Sequence, residues 1–169
     1  GTITKGKPEV TDIYTKPKIK ESYLLEISAS LEKLSGHPIA KAIVDKASLK
    51  KYKKVTNFKV LRGRGLEGRI EGKQIFIGNR TLMKEKKISI ESFEEKISKL
   101  ENEGKTTMII AENKKIIGII AVADAIKEDS LKAIRGLNKE GYRTVMITGD
   151  NEKTAKAIAK QVGIKEVIA

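Results

Sequence analysis

Four consecutive residues, Thr148-Gly149-Asp150-Asn151, come after a short apolar run that starts at Val145 and precede a segment with helical periodicity. A hydroxyl, a glycine backbone and a helix N-terminus then converge at the carboxyl end of a buried strand, where an anion is favoured. Such a loop suits phosphate chemistry; the alternative is that Asp150 or Asn151 only caps the following helix. Asp124, at the end of the preceding strand, is expected at the same edge of the sheet, with Lys127 close behind.

A second set of residues lies earlier in the chain. Gly63, Gly65 and Gly68 match the dinucleotide fingerprint G-x-G-x-x-G letter for letter. That fingerprint needs a helix after its glycines, whereas Arg69 to Phe76 reads as a hairpin, so a dinucleotide site is disfavoured. Two readings remain: a glycine-rich bend between strands, or a backbone that approaches a ligand where Cβ atoms would obstruct it. His37, in Ser35-Gly36-His37-Pro38, joins two helices as an exposed or capping residue, or else lays a flat, mostly uncharged ring against a base. Asn79 ends a strand and is expected to cap the helix after it.

The elements that must position these residues emerge from periodicity. Leu24, Ile27, Leu31 and Leu34 share one face of a helix over 20–34, and Pro38 opens a second helix running to about Leu49. The stretch through Lys18 is extended or turn-like. Strands are expected at 56–62, 66–71 and 73–77, the last two joined by a tight turn at Glu71-Gly72. A short helix over 79–86 and a longer one over 92–103, stopped by Gly104, lead to strands at 106–111 and 115–122. From Ile116 the order is strand, helix, strand, helix, strand, which predicts parallel strands with crossover helices. The chain thus reads as an antiparallel α+β module followed by a partial doubly wound α/β module, with the boundary near 116–118.

Composition narrows the chemistry. The 169 residues carry 35 Lys and Arg against 22 Asp and Glu, a net charge of +13 that favours anionic partners. Four Tyr and three Phe make a poor stacking platform for single-stranded nucleic acid, and the cluster Lys50, Lys51, Lys53, Lys54 reads as a solvated surface. The absence of Cys removes disulfides and thiolate chemistry, and one His makes no His cluster. The longest apolar run, 116–123, is interrupted by Gly118 and is far shorter than the ~20 residues of a membrane helix, so a soluble polypeptide without a secretion signal is expected.

Together, these motifs resemble the cytoplasmic ATP-binding region of the heavy-metal-transporting P-type ATPases over essentially the whole chain. Residues 1–6 resemble the stretch immediately after the phosphorylated aspartate in the family's D-K-T-G-T-L/I-T signature. Residues 35–40 resemble its S-E-H-P-L/I motif, Gly63-Arg64-Gly65 its G-x-G turn, Ile77-Gly78-Asn79-Arg80 its G-N element, and 148–151 its T-G-D-N loop. The resemblance implies a nucleotide-binding domain over 13–116 and a partial phosphorylation domain of the haloacid-dehalogenase-like type over 117–169, with 1–12 as that domain's N-terminal segment. It implies an adenine-nucleotide site formed by Glu32, His37, Gly63, Gly65 and Asn79, with His37 against the adenine and the glycines leaving room. It also implies that Thr148, Gly149 and Asp150, with Asp124 nearby, contact the transferred phosphoryl group or its Mg2+.

ATP and Mg2+ are the implied cofactors, and the membrane and actuator domains of the same ATPase the implied partners, at the cytoplasmic face of the membrane. No nucleic acid is expected. Copper is the expected cargo on family frequency, moved out of the cell through an aspartyl phosphate formed from ATP. Two departures matter: Gly36 replaces the acidic residue usual before the histidine, and the aspartate would lie four residues before Thr2. The expectation is therefore ATP binding with at most weak hydrolysis and no stable aspartyl phosphate. The competing readings are a free-standing phosphatase of the same fold and a basic nucleic-acid module.

Overall fold

The computed structural model describes residues 2–148 and 152–169, without the side chain of Lys153. A strand β1 (Thr4–Thr15) leads into helices α1 (Glu21–Glu32) and α2 (Pro38–Ala47). Strands β2 (Val55–Leu61), β3 (Gly65–Ile70) and β4 (Lys73–Gly78) come next, then α3 (Arg80–Glu85) and α4 (Glu94–Asn102). Strands β5 (Thr106–Glu112) and β6 (Lys115–Ile126) complete the larger part. Helix α5 (Glu128–Lys139), β7 (Val145–Ile147), α6 (Glu152–Val162) and β8 (Glu166–Ile168) form the rest.

The six strands β1 to β6 make one antiparallel sheet in the order β1-β6-β5-β4-β3-β2. The turn Glu71-Gly72 joins β3 and β4 as expected, both residues having positive φ, which matches the right-handed twist of the two strands. One face of the sheet packs Ile75, Ile77, Ile110 and Ile120 against Leu24, Ile27 and Leu31 of α1 and Ile43 of α2. The other packs Phe76, Ile109 and Ile119 against Leu82 and Met83 of α3 and Ile97 and Leu100 of α4. Burying each such side chain contributes about 1.5–3 kcal/mol, so the sheet is held from both sides.

Two expectations are corrected. The opening stretch is not a loop but a twelve-residue strand, an edge position where Pro8 needs no ladder donor. The strand at 115–122 runs on to Ile126 and pairs with β1 and β5 in the antiparallel sheet, not with the later parallel strands. A continuous apolar run fits either place, because a central strand covered by helices on both faces is as apolar as a parallel one. The parallel pair is β7 and β8, packed by α5 and α6 through Ile134, Met146, Ala155, Ala159 and Val162. Ile3 and Ile126 also pack there, so both ends of the β1–β6 pair enter this second core. The expected unit boundaries at 12/13 and 116/117 fall inside β1 and β6.

Candidate functional site: a notch in the sheet

Strands β2, β3 and β4 end at one level, where Leu61 pairs with Gly65 and Gly65 with Gly78. β5 continues past it: Gly78 pairs with Ile109, while Thr106, Thr107 and Met108 pair only with β6. This step opens a cavity of about 320 Å³ between the end of α1, the α1–α2 loop, the β2–β3 turn and the start of α3. Its floor is Glu32, Leu66 and Thr107, all buried; its rim carries His37, Arg62, Gly63 and Asn79, all exposed. The structure therefore brings Glu32, His37, Gly63, Gly65 and Asn79 around one space, although they lie on four separate elements.

Glu32 ends α1 and is 3% exposed, and its Oε1 has no hydrogen-bond partner among the described residues. Burial pushes its carboxyl up from the ordinary 4.5 to about 7, because the charged form is poorly solvated there. An acid left without a partner in a cavity is an unmet acceptor.

His37 combines the two roles that its position allowed. It caps α2, its Nδ1 accepting the Ile39 amide hydrogen at 3.2 Å, while its own amide donates to Ser35 Oγ at 3.3 Å. With Nδ1 accepting, the neutral ring carries its hydrogen on Nε2, and the cap fixes the imidazole plane at the cavity rim.

Asn79 is engaged at both ends of its side chain. Oδ1 accepts the Leu82 amide hydrogen at 3.1 Å, which caps α3, and Nδ2 donates to the Gly63 carbonyl at 2.8 Å. Its backbone N–H donates to Arg64 O at 2.9 Å. Asn79 thus holds the glycine turn in place. The variant Asn79→Asp keeps the cap, since Asp caps as well as Asn, but points an acceptor at the Gly63 carbonyl. It is expected to lose about 1–3 kcal/mol of stability in urea unfolding; an unchanged midpoint would show that the Gly63 contact is idle.

The two glycines differ. A Cβ on Gly63 would meet nothing within 4 Å, so this residue leaves open space in the cavity, at a φ of +68°. A Cβ on Gly65 would lie 2.0 Å from the Ile77 carbonyl oxygen. The expectation that Gly65 leaves room for a ligand is corrected: what it makes room for is strand β4.

The phosphate-loop residues are not part of this cavity. Thr148 comes directly after β7 and donates its amide hydrogen to Ile168 O at 3.0 Å. Gly149, Asp150 and Asn151 lie outside the described residues. Asp124 accepts the amide hydrogens of Gly6 at 3.0 Å and Lys7 at 3.2 Å, at the irregular stretch of β1 between Thr4 and Pro8. Both carboxylate oxygens are thereby used by the backbone, and among the described residues no three His, Asp or Glu side chains converge on a metal position.

Sequence reasoning missed Thr107 and Leu66 on the floor. Thr107 had a signal: it alternates with Ile109 and Ala111 on a strand whose other inward positions are apolar.

The model of the haloacid dehalogenase-like hydrolases matches residues 1–169. The copper-exporting P-type ATPase of Staphylococcus haemolyticus is 46% identical over the whole of this chain, which spans about a fifth of that protein (21%). A zinc-transporting PIB-type ATPase in an E2.Pi state superposes with a TM-score of 0.78 at 35% identity, over 99% of this chain and 27% of that one. The catalytic domain of the CPx-ATPase CopB-B gives 0.67 at 27% identity, over 99% of this chain and 58% of that one. With the antiparallel sheet and its helices in place beside the β7–β8 module, the chain belongs to the haloacid dehalogenase-like hydrolases, as a counterpart of the catalytic region of copper-transporting P-type ATPases, nucleotide-binding domain plus part of the phosphorylation domain.

Proposed function

We propose that the notch binds the adenine nucleotide of ATP, and that the chain acts as the ATP-binding part of a P-type ATPase that exports copper by way of an aspartyl phosphate. The observation that carries this reading is Glu32, a buried carboxyl with an unpaired oxygen on the floor of a cavity large enough for a base. An exocyclic amino group supplies the missing donor, and on binding it favours the ionised carboxylate. The ring of His37 packs on the base, Gly63 leaves space beside it, and Asn79 holds the turn that shapes the wall. Arg62 adds positive charge at the rim.

Mg2+ belongs to this reading as the companion of the triphosphate. The described residues do not make a Mg2+ site by themselves, since Asp124 is committed to β1. Thr148, Gly149 and Asp150 are proposed as the phosphoryl-facing loop, and the membrane and actuator domains as partners in a longer protein. Among the described residues no helix is long and apolar enough to cross a membrane.

Calorimetric titration of the 169-residue chain with ATP tests the proposal. His37→Asn keeps an oxygen acceptor for the Ile39 amide and so keeps the cap, but removes the ring. It is expected to melt near the wild type and bind ATP about tenfold more weakly, the size of one base–aromatic contact. His37→Ala is expected to lose both affinity and the cap. Wild-type affinity in His37→Asn would remove His37 from the base site.

A further inference from the structure

The site as built from its motifs uses one buried polar group, yet the cavity floor holds two. Thr107 is 7% exposed, lines the same cavity as Glu32, and its Oγ1 has no hydrogen-bond partner among the described residues. A buried hydroxyl normally finds a partner, and leaving it without one is unfavourable. Packing does not require it, because Ile109 and Ala111 on the same side of β5 are apolar and buried. Valine would fill that volume without the unpaired oxygen.

The strand register shows where the hydroxyl's partner belongs. β4 stops opposite Ile109, so the β4 flank of Thr106, Thr107 and Met108 is the notch itself. Ile109 and Ala111 belong to the core under α3 and α4, and Thr107 continues their alternation. Glu32 comes from α1, which covers the opposite face. Two unmet polar atoms thus reach one gap from the two sides of the sheet. Their chemistry is complementary: an ionised carboxylate only accepts, whereas a hydroxyl also donates. Adenine carries an amino donor together with ring-nitrogen acceptors on the same flat body.

We propose that Thr107 is a second base-recognising residue, its hydroxyl donating to a ring nitrogen of the adenine whose amino group is held by Glu32. The inference rests on the ATP-binding reading of the notch. Thr107 would then fix the depth and tilt of the base, and the hydroxyl that is unfavourable in the free protein would be satisfied in the complex.

The variants Thr107→Val and Thr107→Ser of the whole chain test this, titrated with ATP, AMP and inorganic tripolyphosphate, with melting of the ligand-free proteins measured alongside. Thr107→Val is expected to weaken ATP and AMP by the same factor, about three- to tenfold, as for one neutral hydrogen bond. Tripolyphosphate binding should not change, and the free variant should melt at or above the wild-type temperature. Thr107→Ser should recover most of the affinity. Equal binding of ATP by wild type and Thr107→Val would overturn the proposal. So would a loss shared by ATP and tripolyphosphate, which places the contact at the phosphates, or a lowered melting temperature with affinity that Ser does not restore, which makes the role structural. Failure of the wild type to bind ATP at all removes the reading of the notch itself, and this proposal with it, before any Thr107 variant is compared.

Discussion

Gly65→Ala is expected to leave most of the chain unfolded at 25 °C. The methyl group would sit 2.0 Å from the Ile77 carbonyl oxygen and 2.5 Å from Gly78 Cα, both backbone atoms that cannot rotate away. Gly65 also has a φ of +142°, a conformation open in practice to glycine alone. Relief requires β3 and β4 to separate at the Gly65–Gly78 pair, where Gly78 is equally tight: its own Cβ would meet Arg64 O at 2.1 Å. Backbone strain of about 1–3 kcal/mol and the broken pairing together exceed about 4 kcal/mol, against a total stability of about 5–15 kcal/mol for a domain. Gly63→Ala makes the contrast. Its φ of +68° costs about 1 kcal/mol, but its methyl group enters open space beside the cavity. The chain should fold and bind ATP less well. Far-ultraviolet circular dichroism with urea unfolding separates the two variants, and a Gly65→Ala protein that folds with a near wild-type midpoint would refute the strand-contact account.

The glycine pair also shows where the sequence stops being informative. Gly63 and Gly65 look alike in a G-x-G motif, and only the hairpin register, which sets Gly65 opposite Gly78, assigns one to the strand and the other to the cavity. Local signals suffice wherever neighbours in the chain decide the outcome. Leu24, Ile27 and Leu31 are buried on α1, Phe93, Ile97 and Leu100 are buried at α4, and Glu71-Gly72 is the turn of its hairpin. Leu34 breaks the pattern at 52% exposure, because α1 ends at Glu32 and the chain turns toward His37 before Leu34 can face the core.

Long-range pairing is not legible in the same way. β1 meets β6 across more than 100 residues, and an apolar strand covered on both faces carries no mark of parallel or antiparallel neighbours. The same holds for the site. His37, Gly63 and Asn79 announce themselves by type and neighbourhood. Glu32 and Thr107 matter through the absence of a partner, and that is a property of the folded chain.

Glu32 makes the chain less stable as the pH rises from about 5 to about 8, and Glu32→Gln should abolish that slope. The folded carboxyl titrates near 7 and the unfolded one near 4.5, because burial disfavours the charge. Between these values the folded chain holds a proton that the unfolded chain has released, so each increase in pH favours unfolding. Below about 4.5 both states are protonated and Glu32 contributes no slope; above about 7 the full cost of an ionised, unpaired carboxylate is present. At 1.36 kcal/mol per pH unit the cost reaches up to about 3 kcal/mol. The glutamine variant carries no charge at any of these pH values and should exceed the wild type by up to that amount at pH 8, with little difference at pH 4.5. Bound ATP should act in the opposite direction. An amino group that donates to the carboxylate lowers its pKa, so ATP binding near pH 6 should release a proton and tighten as the pH rises toward 7. Titrations at pH 6 in two buffers of different ionisation enthalpy read that proton directly. Wild type and Glu32→Gln that lose stability in parallel from pH 5 to 8, with no buffer-dependent heat on ATP binding, would show that Glu32 is neither protonated in the free fold nor engaged by the base.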